Sequence, residues 1–138
     1  DQRLSRGLGD VYKRQDLEVS FGRDVVNGTL ADGMNIPRLS PARNIYSVKY
    51  FANDYLFDLS FKDVDDQKDV AEEETPTMGY QMLDTKLVKT FDLNGNSLRV
   101  SVFANNLLDE VARNHSSFVK NQVPLPGRNY GIRFNLTF

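Results

Sequence analysis

The sequence predicts an all-β chain, the last six strands of an antiparallel transmembrane β-barrel that is open and incomplete by itself. Three observations carry that expectation. Large apolar residues alternate with small or polar ones at period two, long and short connections alternate along the chain, and the most regular strand is the last, Tyr130 to Phe138. A period of two sends successive side chains to opposite faces, so this pattern marks a sheet with one apolar and one polar face.

The strands are taken in chain order. The first lies within Asp16 to Leu30 and is the least regular, with Leu17, Val19 and Phe21 on one side. In the second, Tyr46, Val48 and Tyr50 oppose Ser47 and Lys49; in the third, Phe57, Leu59 and Phe61 oppose Asp58, Ser60 and Lys62. The fourth sets Leu83, Thr85, Leu87 and Phe91 against Tyr80, Asp84, Lys86 and Thr90, with Lys89 interrupting the apolar face. In the fifth, Leu98, Val100, Val102 and Ala104 oppose Arg99, Ser101 and Asn105, and Phe103 is the exception. In the sixth, Tyr130, Ile132, Phe134, Leu136 and Phe138 are all large and apolar, while every residue between them is small or polar.

The connections sharpen the reading. Ala52-Asn53-Asp54 is a tight turn, and Asp92 to Asn96 contains Asn-Gly, a strong hairpin signal. The other three connections are long, roughly 31–43, 65–76 and 106–128. Outer-membrane barrels have this asymmetry, with short periplasmic turns and long external loops. Tyr50, Phe51, Tyr55, Phe91 and Phe138 gather at the short-turn end, as an interfacial aromatic girdle would. A soluble antiparallel sandwich also alternates apolar and polar residues. It has no reason, however, to place all its long loops at one end, or to finish on a perfectly alternating strand with a terminal Phe.

Composition narrows the alternatives. With no Cys, neither a disulfide framework nor a thiolate metal site can form. A net charge of -2 without a basic patch argues against nucleic acid as a partner. No apolar run approaches the roughly 18 residues of a membrane helix, and no secretory signal pattern is visible. The chain begins with Asp1 rather than Met, so its start is expected to be a cut. Residues 1–15 (DQRLSRGLGDVYKRQ) share no periodicity with the rest and resemble a translated sequencing adaptor. They are expected to be non-native and are set apart from 16–138; the alternative is a polar loop before the first strand.

Several segments resemble TonB-dependent outer-membrane receptors. Asn105-Asn106-Leu107-Leu108-Asp109-Glu110, His115-Ser116-Ser117-Phe118-Val119-Lys120, Pro124-Leu125-Pro126-Gly127-Arg128-Asn129-Tyr130 and the terminal Phe138 look like that family's C-terminal signature. Asp32-Gly33 with Asn35-Ile36-Pro37-Arg38, and Glu74-Thr75-Pro76-Thr77 with Gly79-Tyr80, resemble two of its upstream pieces. The resemblance covers essentially all of 16–138. It implies a 22-stranded outer-membrane barrel plugged by an N-terminal domain. Such receptors import ferric siderophores, haem, cobalamin, zinc or other metal complexes, and some sugars, powered by the TonB complex acting on the plug. It further implies that the plug and the TonB-contacting segment lie outside this chain, whose share is barrel wall, external loops and assembly signal. The partners implied are outer-membrane lipid, a siderophore or other metal complex, the TonB complex through the plug, and the barrel-assembly machinery. The last is expected to read Tyr130, Ile132, Phe134, Leu136 and above all Phe138.

Individual residues add chemistry. Arg99, Arg133, Lys62, Lys86 and Asp84 fall on the lumen face, where charge is tolerated and can pair with the plug. Lys89 falls on the lipid face near its short-turn end, where a long side chain can snorkel to the interface. The only His, His115, lies in the last long loop; imidazole suits Zn, Cu and Fe, but one His is not a site, and a hydrogen-bonding role is expected. Asp65-Asp66, Asp69 and Glu72-Glu73-Glu74 form an acidic stretch of the second long loop, with Asp69, Glu72 and Glu73 the candidate ligands. Carboxylates can hold hard cations, although such a run is usually a solvated face. No nucleophile, base and orienting group come together in the sequence, so an enzyme is not expected and no cofactor is. A passive porin is the closest rival, and an upstream plug would separate the two.

Overall fold

Alternation alone does not say which strand pairs with which; the tight turns do. Asn94 and Gly95 take φ of 54° and 96°, and Asn53 takes 55°. Positive φ at the centre of a two-residue turn matches the twist of the flanking strands, and Asn and Gly reach it at least cost. Each turn therefore folds its two strands into an antiparallel hairpin. The computed structural model describes residues 15–138. Apart from Gln15, the stretch read as adaptor-derived lies outside the described residues. The strands are β1 (Gln15–Asp24), β2 (Arg43–Ala52), β3 (Tyr55–Val64), β4 (Tyr80–Leu93), β5 (Asn96–Asn105) and β6 (Asn129–Thr137). They form one open antiparallel sheet in chain order, with no helix among the described residues.

Directly paired residues share a face, so the register can be followed across all six strands. Leu17, Tyr50, Phe57, Leu87, Val102 and Ile132 form one row. The next row towards the long loops is Val19, Val48, Leu59, Thr85, Ala104 and Tyr130. On the opposite face, Glu18, Lys49, Asp58 and Lys86 alternate in sign across four strands, and the row continues through Phe103 to Gly131. Six separate alternations thus coincide in one apolar and one polar face. At the long-loop end the apolar face stops at a polar row, Arg23, Asn44, Asp63 and Gln81. Within it Arg23 donates to Asn44 at 3.4 Å and Gln81 to Asp63 at 3.2 Å. From Leu83 to Phe91 the apolar stretch of β4 runs about 26 Å along the strand at ~3.3 Å per residue. A barrel-like tilt of ~40° would reduce that to about 20 Å, close to the ~25 Å band of an outer-membrane barrel.

Phe103, the odd residue of β5, has a local explanation. Its ring covers Gly131 on the neighbouring strand, and a Cβ at that glycine would overlap the ring. An aromatic lying over a strand glycine fills the space the missing side chain leaves.

Some boundaries differ from the sequence reading. The first long loop begins at Val25 rather than Ala31, because β1 stops at Asp24. A tight turn takes over there: Gly33 donates to the Leu30 carbonyl at 2.9 Å and Leu30 to that of Met34 at 2.8 Å. The second loop extends past Pro76 to Gly79. Gln67 and Thr77 exchange backbone hydrogen bonds of 2.9 and 3.1 Å, and Gly79 donates to the Asp66 carboxylate at 2.7 Å. The third loop runs from 106 to 128 as expected. Phe51 corrects the aromatic girdle: its register with Asp16 and Leu56 puts it on the polar face, not beside Tyr50 and Tyr55.

The described residues form a single-layered sheet whose apolar face is uncovered. Leu17, Val19, Phe21, Tyr130, Ile132, Phe134 and Leu136 are all exposed. Among the described residues, the outer edges of β1 and β6 have no strand partner. Residues 16–138 expressed alone are therefore expected to aggregate in plain buffer. Size-exclusion chromatography with cooperative unfolding measured on the eluted peak tests this; a monodisperse, cooperatively folding monomer would contradict it.

Candidate functional site

The deepest packing is not in the sheet but among its three long loops. The chain leaves β5 at Asn106, whose side chain is almost fully buried. Its backbone N–H donates to Asp84 at 2.8 Å. Its side-chain amide donates to the carbonyls of Glu110 and Pro126 at 2.9 and 3.2 Å and accepts from the Glu110 N–H at 3.0 Å. At the other end of the loop the Arg128 N–H donates to Asp109 at 2.9 Å. Asn106 and Asp109 thereby close the base of a 23-residue excursion, counted from 106 to 128. Fixed backbone partners of this kind let a long loop remain ordered.

Above that base the three loops meet at Glu74. Its carboxylate accepts from the Arg38 N–H at 3.1 Å, the Ala71 N–H at 3.4 Å and the Lys120 ammonium at 2.8 Å. The Nε2 atom of His115 lies 3.1 Å from the same carboxylate. On the far side of the ring, Nδ1 is 2.8 Å from the Thr77 hydroxyl. The ionised Glu74 carboxylate can only accept, so Nε2 carries a proton, and in the neutral ring Nδ1 accepts from the Thr77 hydroxyl. His115 is 2% exposed, and the side chains of Glu74 and Lys120 are 10% and 7% exposed. Arg38 belongs to the first long loop, Glu74 and Thr77 to the second, and His115 and Lys120 to the third. Secondary ties follow the same geometry, including Gln67 to the Leu39 carbonyl at 2.9 Å and Arg113 to the Lys120 carbonyl at 2.7 Å. Beside the cluster a cleft of about 330 Å³ is lined by Arg38, Glu73 and Phe118, and the Arg38 guanidinium stacks 3.4 Å above the Phe118 ring centre.

Burial alone would push the Glu74 carboxyl upward. The Lys120 hydrogen bond, the Arg38 and Ala71 N–H groups and the Lys120 charge outweigh it and bring the carboxyl from 4.5 down to about 2. His115 is held below its usual 6.5, first by burial and then by the Lys120 charge, with Glu74 opposing both. Both shifts have the same sign for stability. Below 6.5 an opened loop binds a proton on His115 that the closed cluster refuses. Below 4.5 an opened loop protonates Glu74 while the closed one stays ionised until about 2. The cluster should thus be tightest above pH 6.5 and loosen as pH falls, with Glu74 contributing of order 3 kcal/mol of the loss across its window. Hydrogen exchange at the Arg38 and Ala71 amides, corrected for intrinsic rate, checks this from neutral pH down through the Glu74 window, 4.5 to about 2. Protection that stays constant or rises in acid would contradict it.

The residues singled out in the sequence fall into two groups. His115 sits inside the cluster with both ring nitrogens engaged by the protein. Asp69 and Glu72 are exposed elsewhere on the second loop, and Glu73 faces the Arg38–Phe118 cleft. Among the described residues, no three His, Cys, Asp or Glu side chains converge as metal ligands. Tyr130, Ile132, Phe134 and Leu136 line one face of β6, and Phe138 beyond it is 95% exposed. The charged polar-face residues Lys62, Lys86, Arg99 and Arg133 make no ion pair among the described residues.

Sequence reasoning placed Glu74 in an acidic run without its role in joining the loops, and it gave Lys120 no role. Glu74 reads as one of three adjacent glutamates, and its partner lies 46 residues away. One signal was present: the segments around Arg38, Glu74 and His115-to-Lys120 that carry the family resemblance are the ones that meet here. No protein-family model matches the chain, and no curated protein matches it.

Proposed function

We propose that this chain is the C-terminal wall of a TonB-dependent outer-membrane receptor, which binds and actively imports a ferric siderophore or another metal complex. The observation that carries the reading is the register. Six alternating strands put their apolar residues on one continuous face, with both short turns at one end and the three long loops at the other. A lipid-facing wall needs that surface, and a soluble sheet would have to cover it. The polar face then lines the lumen, where Lys62, Lys86, Arg99 and Arg133 are free to meet a plug. The tied loops form a rigid external rim beside which a ligand can be held. The terminal strand serves assembly, presenting five large apolar residues at period two to the insertion machinery.

A passive porin would use the same wall, so the deciding experiment concerns the rest of the gene. Sequencing the coding region that runs into Asp16 should reveal a plug domain preceded by a short TonB-contacting segment. A complete barrel gene without either would replace the receptor by a channel.

A further inference from the structure

Lys89 is the one charged residue within the apolar rows of the described sheet. It pairs with Tyr55 on one side and Val100 on the other, and Val100 pairs with Phe134. Its ammonium lies 3.8 Å above the Tyr55 ring centre, 5.6 Å from that of Phe91 and 3.8 Å from the Asp54 carboxylate. The Asp54 backbone is held at the tight turn, where the Thr90 N–H donates to the Asp54 carbonyl at 2.9 Å. At 3.8 Å the two charges are too far apart for a hydrogen bond. Among the described residues, neither the Lys89 ammonium nor the Asp54 carboxylate has a hydrogen-bonding partner. The Lys89 side chain is 26% exposed and that of Asp54 67%. A cation and an anion thus stand side by side at the rim of an apolar surface, each with hydrogen-bonding capacity unused.

We propose that Lys89, Asp54 and Tyr55 form a binding site for a zwitterionic phospholipid headgroup that carries a primary ammonium. The inference rests on the reading of this face as lipid-facing. Lys89 donates to the phosphate, a charge-assisted bond. Asp54 accepts from the headgroup ammonium, and the Tyr55 and Phe91 rings flank the Lys89 ammonium. The acyl chains extend from Lys89 towards the long-loop end, crossing the adjacent apolar row at Phe57, Leu87 and Val102. Charge complementarity selects this occupant: an anionic headgroup would satisfy Lys89 but meet Asp54 with like charge, and a headgroup without N–H donors would leave the carboxylate unpaired.

The test uses the intact barrel released from membranes in mild detergent, incubated with equal phosphatidylethanolamine and phosphatidylglycerol and read by native mass spectrometry. The wild type should retain phosphatidylethanolamine over phosphatidylglycerol by about fivefold, the upper end of what an exposed ion pair contributes. Lys89→Gln should lose retention of both lipids and Lys89→Arg keep it, whereas Asp54→Asn should keep binding but lose the preference. Heat-modifiable migration of each variant establishes that it is folded. Equal retention of the two lipids by the wild type, or unchanged retention in Lys89→Gln, overturns the site. A wild-type chain absent from the membrane fraction would instead sink the lipid-facing reading on which the site depends.

Discussion

Removing Phe138, or replacing it in Phe138→Asp, should lower the amount of inserted barrel far more than Phe118→Ala. Phe138 is almost wholly exposed, lies beyond the last paired residue and touches nothing that would hold the sheet together. Phe118 stacks under the Arg38 guanidinium beside the loop cluster, a contact worth about 0.5–1 kcal/mol at an exposed site. A charge on a lipid face near the interface costs roughly 0–1 kcal/mol. Neither change removes enough stability to unfold a large barrel. A strong and specific defect at Phe138 therefore reports lost recognition of the terminal strand during assembly. The measurement is heat-modifiable, folded barrel in outer-membrane fractions at matched synthesis. Equal insertion of the two variants would make Phe138 an ordinary girdle residue.

Glu74→Ala should release all three long loops at once while leaving the strands intact. The substitution strands the buried Lys120 ammonium without its counter-ion, and it removes the acceptor of the Arg38, Ala71 and His115 N–H groups. Breaking a buried ion pair from one side costs about 3–5 kcal/mol. Local opening on that scale reduces exchange protection by about two to four orders of magnitude. The loss should cover peptides spanning 38–42, 71–77 and 115–121, and should spare β2 to β5. The double substitution Glu74→Gln with Lys120→Met should recover part of it, because no buried charge is then left unpaired. Exchange that changes in the second loop alone would mean that Glu74 does not join the loops.

The sheet was legible in the sequence because its determinants are local. Alternation, Asn94-Gly95 and Asn53 specify strands and turns from neighbouring residues, and Phe103 could be marked as odd although Gly131, which explains it, is 28 positions on. Phe51 was misplaced for a related reason: closeness to a turn says how deep a residue sits, but only register says which face it takes. The loop cluster was not legible. Glu72, Glu73 and Glu74 are chemically identical neighbours, and what makes Glu74 different is convergence with Arg38, His115 and Lys120 from two other loops. The same holds for Lys89, which reads as an interruption until Tyr55 and Asp54 are brought beside it by β3–β4 pairing.

The orientation of the wall is the central claim; this chain has no cysteine, so once any cysteine elsewhere in the full-length protein is replaced by serine, single introduced thiols measure it directly. Lys68 is exposed on the second long loop, and Asn96 is exposed next to the Asn94-Gly95 turn. In the full-length protein, Lys68→Cys and Asn96→Cys are treated on intact cells with a membrane-impermeant maleimide, and again after the outer membrane is opened. Lys68→Cys should label in intact cells and Asn96→Cys only after opening, since long loops face outward and short turns inward. Labelling of Asn96→Cys on unbroken cells with Lys68→Cys protected would put the barrel upside down. Neither site gaining reactivity on opening would contradict a wall that spans the outer membrane.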